Sequence, residues 1–390
     1  MLKAVKIKDN VYWVGAVDWT LRNFHGYVTE SGSTYNAYLI TGEKNILIDT
    51  VKAHLFEEMS ARIKTVIPLE KLDLLISNHV EMDHSGGIPE LLKAVPGLKV
   101  LTSPQGVAGL KLHYGEELNC EPAPPGYKLD AGRYRFSFLP TPMVHWPDNM
   151  LTYLEEEKIL FSNDAFGQHY ASSGRFDDEV CLHKALAEAK KYYANIVLPY
   201  GKQVRDALAA ASKLDIKTIA PSHGIIWRGQ IPEILKRYGK WSAYENDGSA
   251  CIVYDSMWHS TEKMARAAYA GFVRAGIKTR IFDLKCDHIS NIMTDVMTAK
   301  YLAVGSPTLN NNMLPTAAAF LTYMKGLAPQ GKTVFAFGSY GWGGQSVAQV
   351  EEIFKELKFE TLLPGVRIKY IPGEEELKKI ENAIYEKIKK

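Results

Sequence analysis

A chain of 390 residues, 46% hydrophobic and 23% charged, has apolar material for two cores, and at roughly 100–200 residues per domain two domains are expected. A formal net charge of +2 sets up no field favouring nucleic acid or a membrane surface. Cys120, Cys181, Cys251 and Cys286 lie far apart with no CxxC pair, which excludes a thiolate metal cluster and fits idle thiols in a reducing cytoplasm.

No basic-then-apolar leader opens the chain and no apolar run approaches about 18 residues, so a cytoplasmic protein with no membrane span is expected. Strand-like runs follow in order: VYWVGAVD, YNAYLIT, NILIDTV, LDLLISN, KVLTS, YRFSFLPT and MLTYLE. Helical runs are LFEEMSARIKTVI, GIPELLKAV, EVCLHKALAEAKKYYANI and RDALAAASKL. Strands first and helices after, in each half, suit a two-sheet sandwich flanked by helices. A break falls at Asn246-Asp247-Gly248-Ser249, giving expected domains of 1–247 and 248–390. Beyond it CIVYDS, TRIFDL, YLAVGSP and TVFAFGS alternate with helices near 261–274, 315–326 and 345–358, and a last strand near RIKYIP precedes a C-terminal helix. That alternation predicts a doubly wound parallel sheet.

The segment His79-Val80-Glu81-Met82-Asp83-His84 places four metal-capable side chains in six residues, between LDLLISN and Ser85-Gly86-Gly87. Strand faces alternate, so only a loop can aim all four at one point. His145, Asp164 and His223 stand at later strand ends, in PMVHWPD, LFSNDAFG and IAPSHGI. Seven ligands suffice for two metals sharing a carboxylate. Over roughly residues 30–230 this constellation resembles the metallo-β-lactamase superfamily, whose common loop is H-x-H-x-D-H. Glu81 here replaces the second histidine, and the harder, more anionic set suits iron and manganese chemistry.

The second domain carries three candidate ligand-binding loops at strand ends. Ser256, Met257, Trp258, His259, Ser260 and Thr261 form a hydroxyl-rich turn opening a helix, an anion-binding arrangement. Ser306, Pro307, Thr308, Leu309, Asn310 and Asn311 end the third strand, and Ser339, Tyr340, Gly341, Trp342, Gly343 and Gly344 the fourth. Ligands gather at carboxyl ends of parallel strands near the switch point, and these loops over 250–390 resemble flavodoxin, with Trp342 and Tyr340 as stacking candidates.

The two resemblances together are those of the flavodiiron, or A-type, flavoproteins. That family implies one iron held by His79, Glu81 and His145, another by Asp83, His84 and His223, with Asp164 bridging. It implies reduction of O2 to water, of NO to N2O, or both, with FMN refilling the iron pair. A diferrous pair and a reduced flavin hold two electrons each, four in all, which matches O2 to two waters. Trp146, His169 and Tyr193 are candidates around the metals, the last two as proton or hydrogen-bond donors. No fused rubredoxin is encoded, so the implied donor is an external rubredoxin, an NAD(P)H-linked rubredoxin reductase or reduced coenzyme F420. The implied assembly is a head-to-tail homodimer or a dimer of dimers. Two alternatives use the same residues: a zinc hydrolase with an appended flavodoxin domain, and a non-catalytic flavin electron carrier.

Overall fold

Several strands of the first half are buried along their whole length, which requires cover on both faces of their sheet. The computed structural model, which describes residues 2–389, supplies that cover. By its packing the chain divides into two units: residues up to Tyr192 with Tyr200–Gly239, and Tyr193–Pro199 with the residues from Lys240 onward.

In the first unit a seven-stranded sheet runs in the order Val5–Lys8, Val11–Trp13, Tyr38–Ile40, Ile46–Ile48, Leu74–Ser77, Lys99–Thr102, Cys120–Pro122. A five-stranded sheet runs Lys128–Ala131, Tyr134–Pro140, Met150–Leu154, Ile159–Asn163, Thr218–Pro221. Alternation sorts the side chains. Tyr38, Ile40, Ile46, Ile48, Ile76 and Leu101 meet Phe136, Phe138, Leu154, Ile159 and Phe161 of the other sheet in one core. Leu39, Leu47, Leu75 and Val100 face the opposite way, onto Phe56, Met59, Leu91 and Leu110 of helices Phe56–Ile63, Ile88–Ala94 and Pro104–Tyr114. The expected sandwich of two sheets with flanking helices is what forms.

Some elements carried no clear sequence signal. Helix Pro104–Tyr114 contains Gly106 and Gly109, which weaken its propensity. A Cβ on Gly109 would sit 3.0 Å from Val80 Cγ1, so the glycine lets this helix approach the ligand-rich loop. The long run EVCLHKALAEAKKYYANI is α-helical only over Leu182–Tyr192 and widens to a π-helix over Tyr193–Val197, just before Pro199, which has no N–H to continue the ladder.

In the second unit the main sheet is parallel throughout, in the order Thr279–Asp283, Ala250–Tyr254, Tyr301–Gly305, Thr333–Tyr340, and then Glu360–Thr361 and Val366–Lys369 along the edge, while Thr308–Leu309 and Asn312–Met313 form a separate antiparallel hairpin. Counting strands in chain order, this is the 2-1-3-4-5 arrangement of flavodoxin-like sheets. Ile252, Ala303, Phe335 and Phe337 pack against Met264, Ala268 and Phe272 of helix Ser260–Arg274 and Ile380 and Ile384 of helix Glu374–Lys389. Tyr193–Pro199 joins this unit through Asn195, which donates to the Ser290 carbonyl at 3.0 Å and accepts from Tyr323 Oη at 2.7 Å. No described helix is long and apolar enough to cross a membrane.

Candidate functional site

Strand Leu74–Ser77 ends in a loop whose shape is fixed from both sides. Asp49, at the end of the adjacent strand, accepts the backbone N–H of Asn78 at 2.7 Å and its side-chain amide at 3.0 Å. Thr50 Oγ1 donates to the His84 carbonyl at 2.6 Å, and Ser85 Oγ to the Val80 carbonyl at 2.6 Å. Gly86 is required here, since a Cβ would lie 2.3 Å from the Met82 carbonyl oxygen.

The side chains of all seven sequence candidates converge as two groups. His79, Glu81, His145 and Asp164 form one, and Asp83, His84 and His223 the other, with ligand-capable atoms within 4.8 Å of one another in each. His79 Nε2 and His145 Nε2 stand 3.4 and 3.3 Å from Glu81 Oε2. His84 Nε2 is 3.4 Å from Asp83 Oδ1, and His223 Nε2 is 3.1 Å from Asp83 Oδ2. Asp164 faces both groups with different oxygens. Its Oδ2 lies 3.8 and 3.4 Å from His79 and His145, its Oδ1 3.1 and 3.4 Å from His84 and His223.

Burial works against charge on Glu81, Asp83, Asp164, His79, His84 and His145, and the opposite charges outweigh it. His145 and His79 hold Glu81 below the usual carboxylate range, His84 and His223 do so for Asp83, and His84 and His145 hold Asp164 well below it. Burial would likewise lower the imidazoles, yet the carboxylates raise His79 to about 9, His84 to about 9 and His145 to about 10. An environment that holds protons so firmly on imidazole nitrogens is one that favours cations. The donor chemistry agrees: His79 Nε2, both oxygens of Asp83, both ring nitrogens of His84 and Asp164 Oδ2 are buried without hydrogen-bond partners. Three carboxylates and four imidazoles fit a pair of iron ions.

Residues around the cluster orient it. His79 Nδ1–H donates to Asp148 at 2.9 Å and His223 Nδ1–H to the Thr34 carbonyl at 2.7 Å, leaving each Nε2 free for a metal. Tyr192 Oη donates to Asp164 Oδ1 at 2.9 Å, whereas Tyr193, the tyrosine singled out in the sequence, packs its ring 5.3 Å from that of Trp241. His169 is buried, 2.8 Å from Ser33 Oγ through Nδ1 and with Nε2 unpartnered; burial and the neighbouring His223 push its pKa well below the ordinary value. Trp146 sets its ring edge-on, 5.0 Å from that of His79. His25 was missed altogether. It occupies a two-residue turn with Gly26, both at positive φ, between Asn23–Phe24 and Tyr27–Val28, and its Nε2–H donates to Glu81 Oε1 at 3.0 Å. The turn pair His-Gly was its only sequence signal.

In the second unit a cavity of about 680 Å³ opens at the carboxyl ends of the strands. It is lined by Met257, Trp258 and Ser260, by Pro307, Thr308, Leu309, Asn310 and Asn311, and by Ser339, Tyr340, Gly341, Trp342 and Gly343. Tyr370 and Ile371, at the end of the last strand, also line it and were not anticipated. Ser256, His259, Thr261, Ser306 and Gly344 stand outside the lining. Of these, Thr261 Oγ1 pairs with Ser339 Oγ at 3.0 Å, and Ser306 Oγ accepts the Leu314 N–H at 2.9 Å, which braces the loops. The volume and the aromatic, hydroxyl-bearing walls fit FMN.

Comparison with known proteins agrees with both halves. Residues 34–224 match the model of the family described as ODP family beta lactamase, and residues 252–383 that of flavodoxin. The chain is 42% identical over 385 residues to a nitric oxide reductase of Moorella thermoacetica, covering 97% of this chain and 96% of that protein. It superposes on the rubredoxin oxygen:oxidoreductase of Desulfovibrio gigas with a TM-score of 0.96 at 38% identity, covering 99% of both chains. A flavodiiron protein from Giardia intestinalis matches with a TM-score of 0.97 at 35% identity, over 100% of this chain and 97% of the other. Two units of matching fold, a seven-residue donor set in two groups and relatives matched end to end lead to one conclusion: the chain belongs to the flavodiiron protein family.

Proposed function

We propose that this chain reduces O2 to water, NO to N2O, or both, at two irons per chain, with one FMN relaying electrons from an external donor. The observation that carries this reading is the division of Asp164, whose two oxygens face the two donor groups separately. In this reading His79, Glu81 and His145 hold one iron, Asp83, His84 and His223 the other, and Asp164 bridges them. Bound there, the irons would supply Lewis acidity and a two-electron store, and FMN a two-electron relay.

The residues of the chain do the rest. Asp148 and the Thr34 carbonyl fix the tautomers of His79 and His223. Tyr192 holds Asp164 in place through Oδ1. His25, on the more exposed side, fixes the outer oxygen of Glu81. His169, a neutral buried imidazole, is the hydrogen-bond or proton donor this reading favours, with Tyr192 in the part first given to Tyr193.

The names of the relatives support both gases and a rubredoxin-type donor. A rubredoxin, an NAD(P)H-linked rubredoxin reductase or reduced coenzyme F420 is proposed as donor, in the cytoplasm. We further propose a homodimer, or a dimer of dimers, that brings the FMN of one chain to the irons of its partner. Its support is the rim of the flavin cavity: Trp342, Trp258, Ile371 and Tyr370 are 92, 86, 70 and 61% exposed, a concentration of apolar surface that marks an interface. Metal and flavin analysis after expression in iron-replete medium tests the cofactor content. About two irons and one FMN per chain are expected. Stoichiometric zinc would overturn the diiron reading, and flavin alone would leave an electron carrier.

A further inference from the structure

The turn that follows strand Ala250–Tyr254 is tied to its neighbours by groups so far unassigned. Asp255 is buried, and its Oδ1 accepts the Ser256 N–H at 2.6 Å while its Oδ2 accepts the Thr316 hydroxyl. Lys285 lies in the turn after the adjacent strand Thr279–Asp283. Its Nζ donates to the Ser256 carbonyl at 3.0 Å, and stands 3.6 Å from Asp283 Oδ2 and 3.9 Å from Asp255 Oδ1. Ser256 Oγ is buried with no hydrogen-bond partner. The segments after three adjacent strands thus meet on this one turn, at the point where the strand order reverses.

The charge balance of the turn is adverse to a dianion. Two carboxylates, one of them buried, stand against one ammonium. On the helix that follows, Glu262 is paired with both His259 and Arg266. Among the described residues Lys285 is the cation that hydrogen-bonds the turn, and it binds a carbonyl, which leaves the buried Ser256 Oγ for a ligand.

We propose that Lys285 is a positioning residue for the phosphate of the flavin: it holds the Ser256 carbonyl away from the ligand and offsets Asp255 and Asp283, so that a turn otherwise flanked by negative charge accepts a phosphate monoester. This rests on the FMN reading above. The proposal predicts discrimination between FMN and riboflavin, which share the ring and differ by the phosphate.

The test is a fluorescence titration of the full-length chain, stripped of flavin, with FMN and with riboflavin. Lys285→Met should weaken FMN binding roughly three- to tenfold, the effect of one partly exposed charge, and leave riboflavin unchanged. The loss should shrink as salt is raised, and Lys285→Arg should restore FMN affinity. Asp255→Asn, which keeps an acceptor for the Ser256 N–H, should tighten FMN relative to riboflavin. If wild-type protein binds FMN but Lys285→Met loses both flavins equally, or neither, the proposal is overturned while the FMN reading stands. Wild-type protein that binds neither flavin overturns both.

Discussion

Asp148 gives the sharpest test of how the first donor group is held. Its Oδ2 accepts His79 Nδ1–H at 2.9 Å and the Val80 N–H at 2.8 Å, and His79 is fully buried. Asp148→Asn can place its amide oxygen where Oδ2 stands, keeping both bonds and losing the charge. Charge-assisted bonds are roughly twice as strong as neutral ones, so about 1 kcal/mol, or about fivefold in iron affinity, should go. Asp148→Ala removes the acceptor. Loss of a hydrogen bond to a charged group, about 1.5–3 kcal/mol, corresponds to about 10–100-fold in metal affinity. The Val80 N–H is then left buried, at a further cost of about 1–3 kcal/mol in stability. Anaerobic competition against a chelator, with thermal melts alongside, reads both quantities. Iron affinity should fall from wild type to Asn to Ala. An Ala variant that melts early but keeps wild-type iron affinity would refute the reasoning, because Asp148 would then brace the loop without orienting a ligand.

Asp164→Ala should lose most iron and keep flavin absorbance, since the two sites lie in different units; equal loss of both would contradict that independence. Glu81→His should lower the iron-to-zinc ratio and slow gas turnover, and unchanged metal content would remove Glu81 from the ligand set. In metal-stripped protein the raised pKa values of His79, His84 and His145, about 9, 9 and 10, set a pH window. A raised folded-state pKa contributes stability that is complete below the unfolded value near 6.5 and lost as pH rises through the folded one. Melting temperatures of the stripped protein should therefore fall between about pH 6.5 and 10, and a flat profile would count against it.

Much of this was legible in the sequence, and the reasons are physical. Four ligand-type residues in His79–His84 cannot be accommodated on one strand face, so a loop and a site follow from the spacing itself. Short continuous apolar runs such as YLI and ILI marked strands buried on both faces, and the alternation of strands and helices in the second half marked the parallel sheet. What stayed hidden depends on contacts between distant residues. His79 and Asp148 are 69 residues apart and His25 and Glu81 56 apart, and neither pairing leaves a periodic trace. Asp148 nevertheless sat in the quoted segment PMVHWPD. The choice between Tyr192 and Tyr193 turned on the helical phase at a π-bulge, where adjacent side chains point to different neighbours. Tyr370 and Ile371 stood in the segment RIKYIP, expected as strand, but the strand ends at Lys369 and the two residues lie outside the three loops that a hydroxyl-and-glycine pattern marks.

The most direct test of the central claim is an electron count. Protein loaded with iron and FMN is fully reduced without oxygen, then mixed in a stopped-flow cell with O2 or with NO, and its products are assayed. The account predicts rapid oxidation with either four electrons consumed per O2 and no peroxide, or one N2O formed per two NO. Slow flavin oxidation with stoichiometric hydrogen peroxide and no N2O would contradict it.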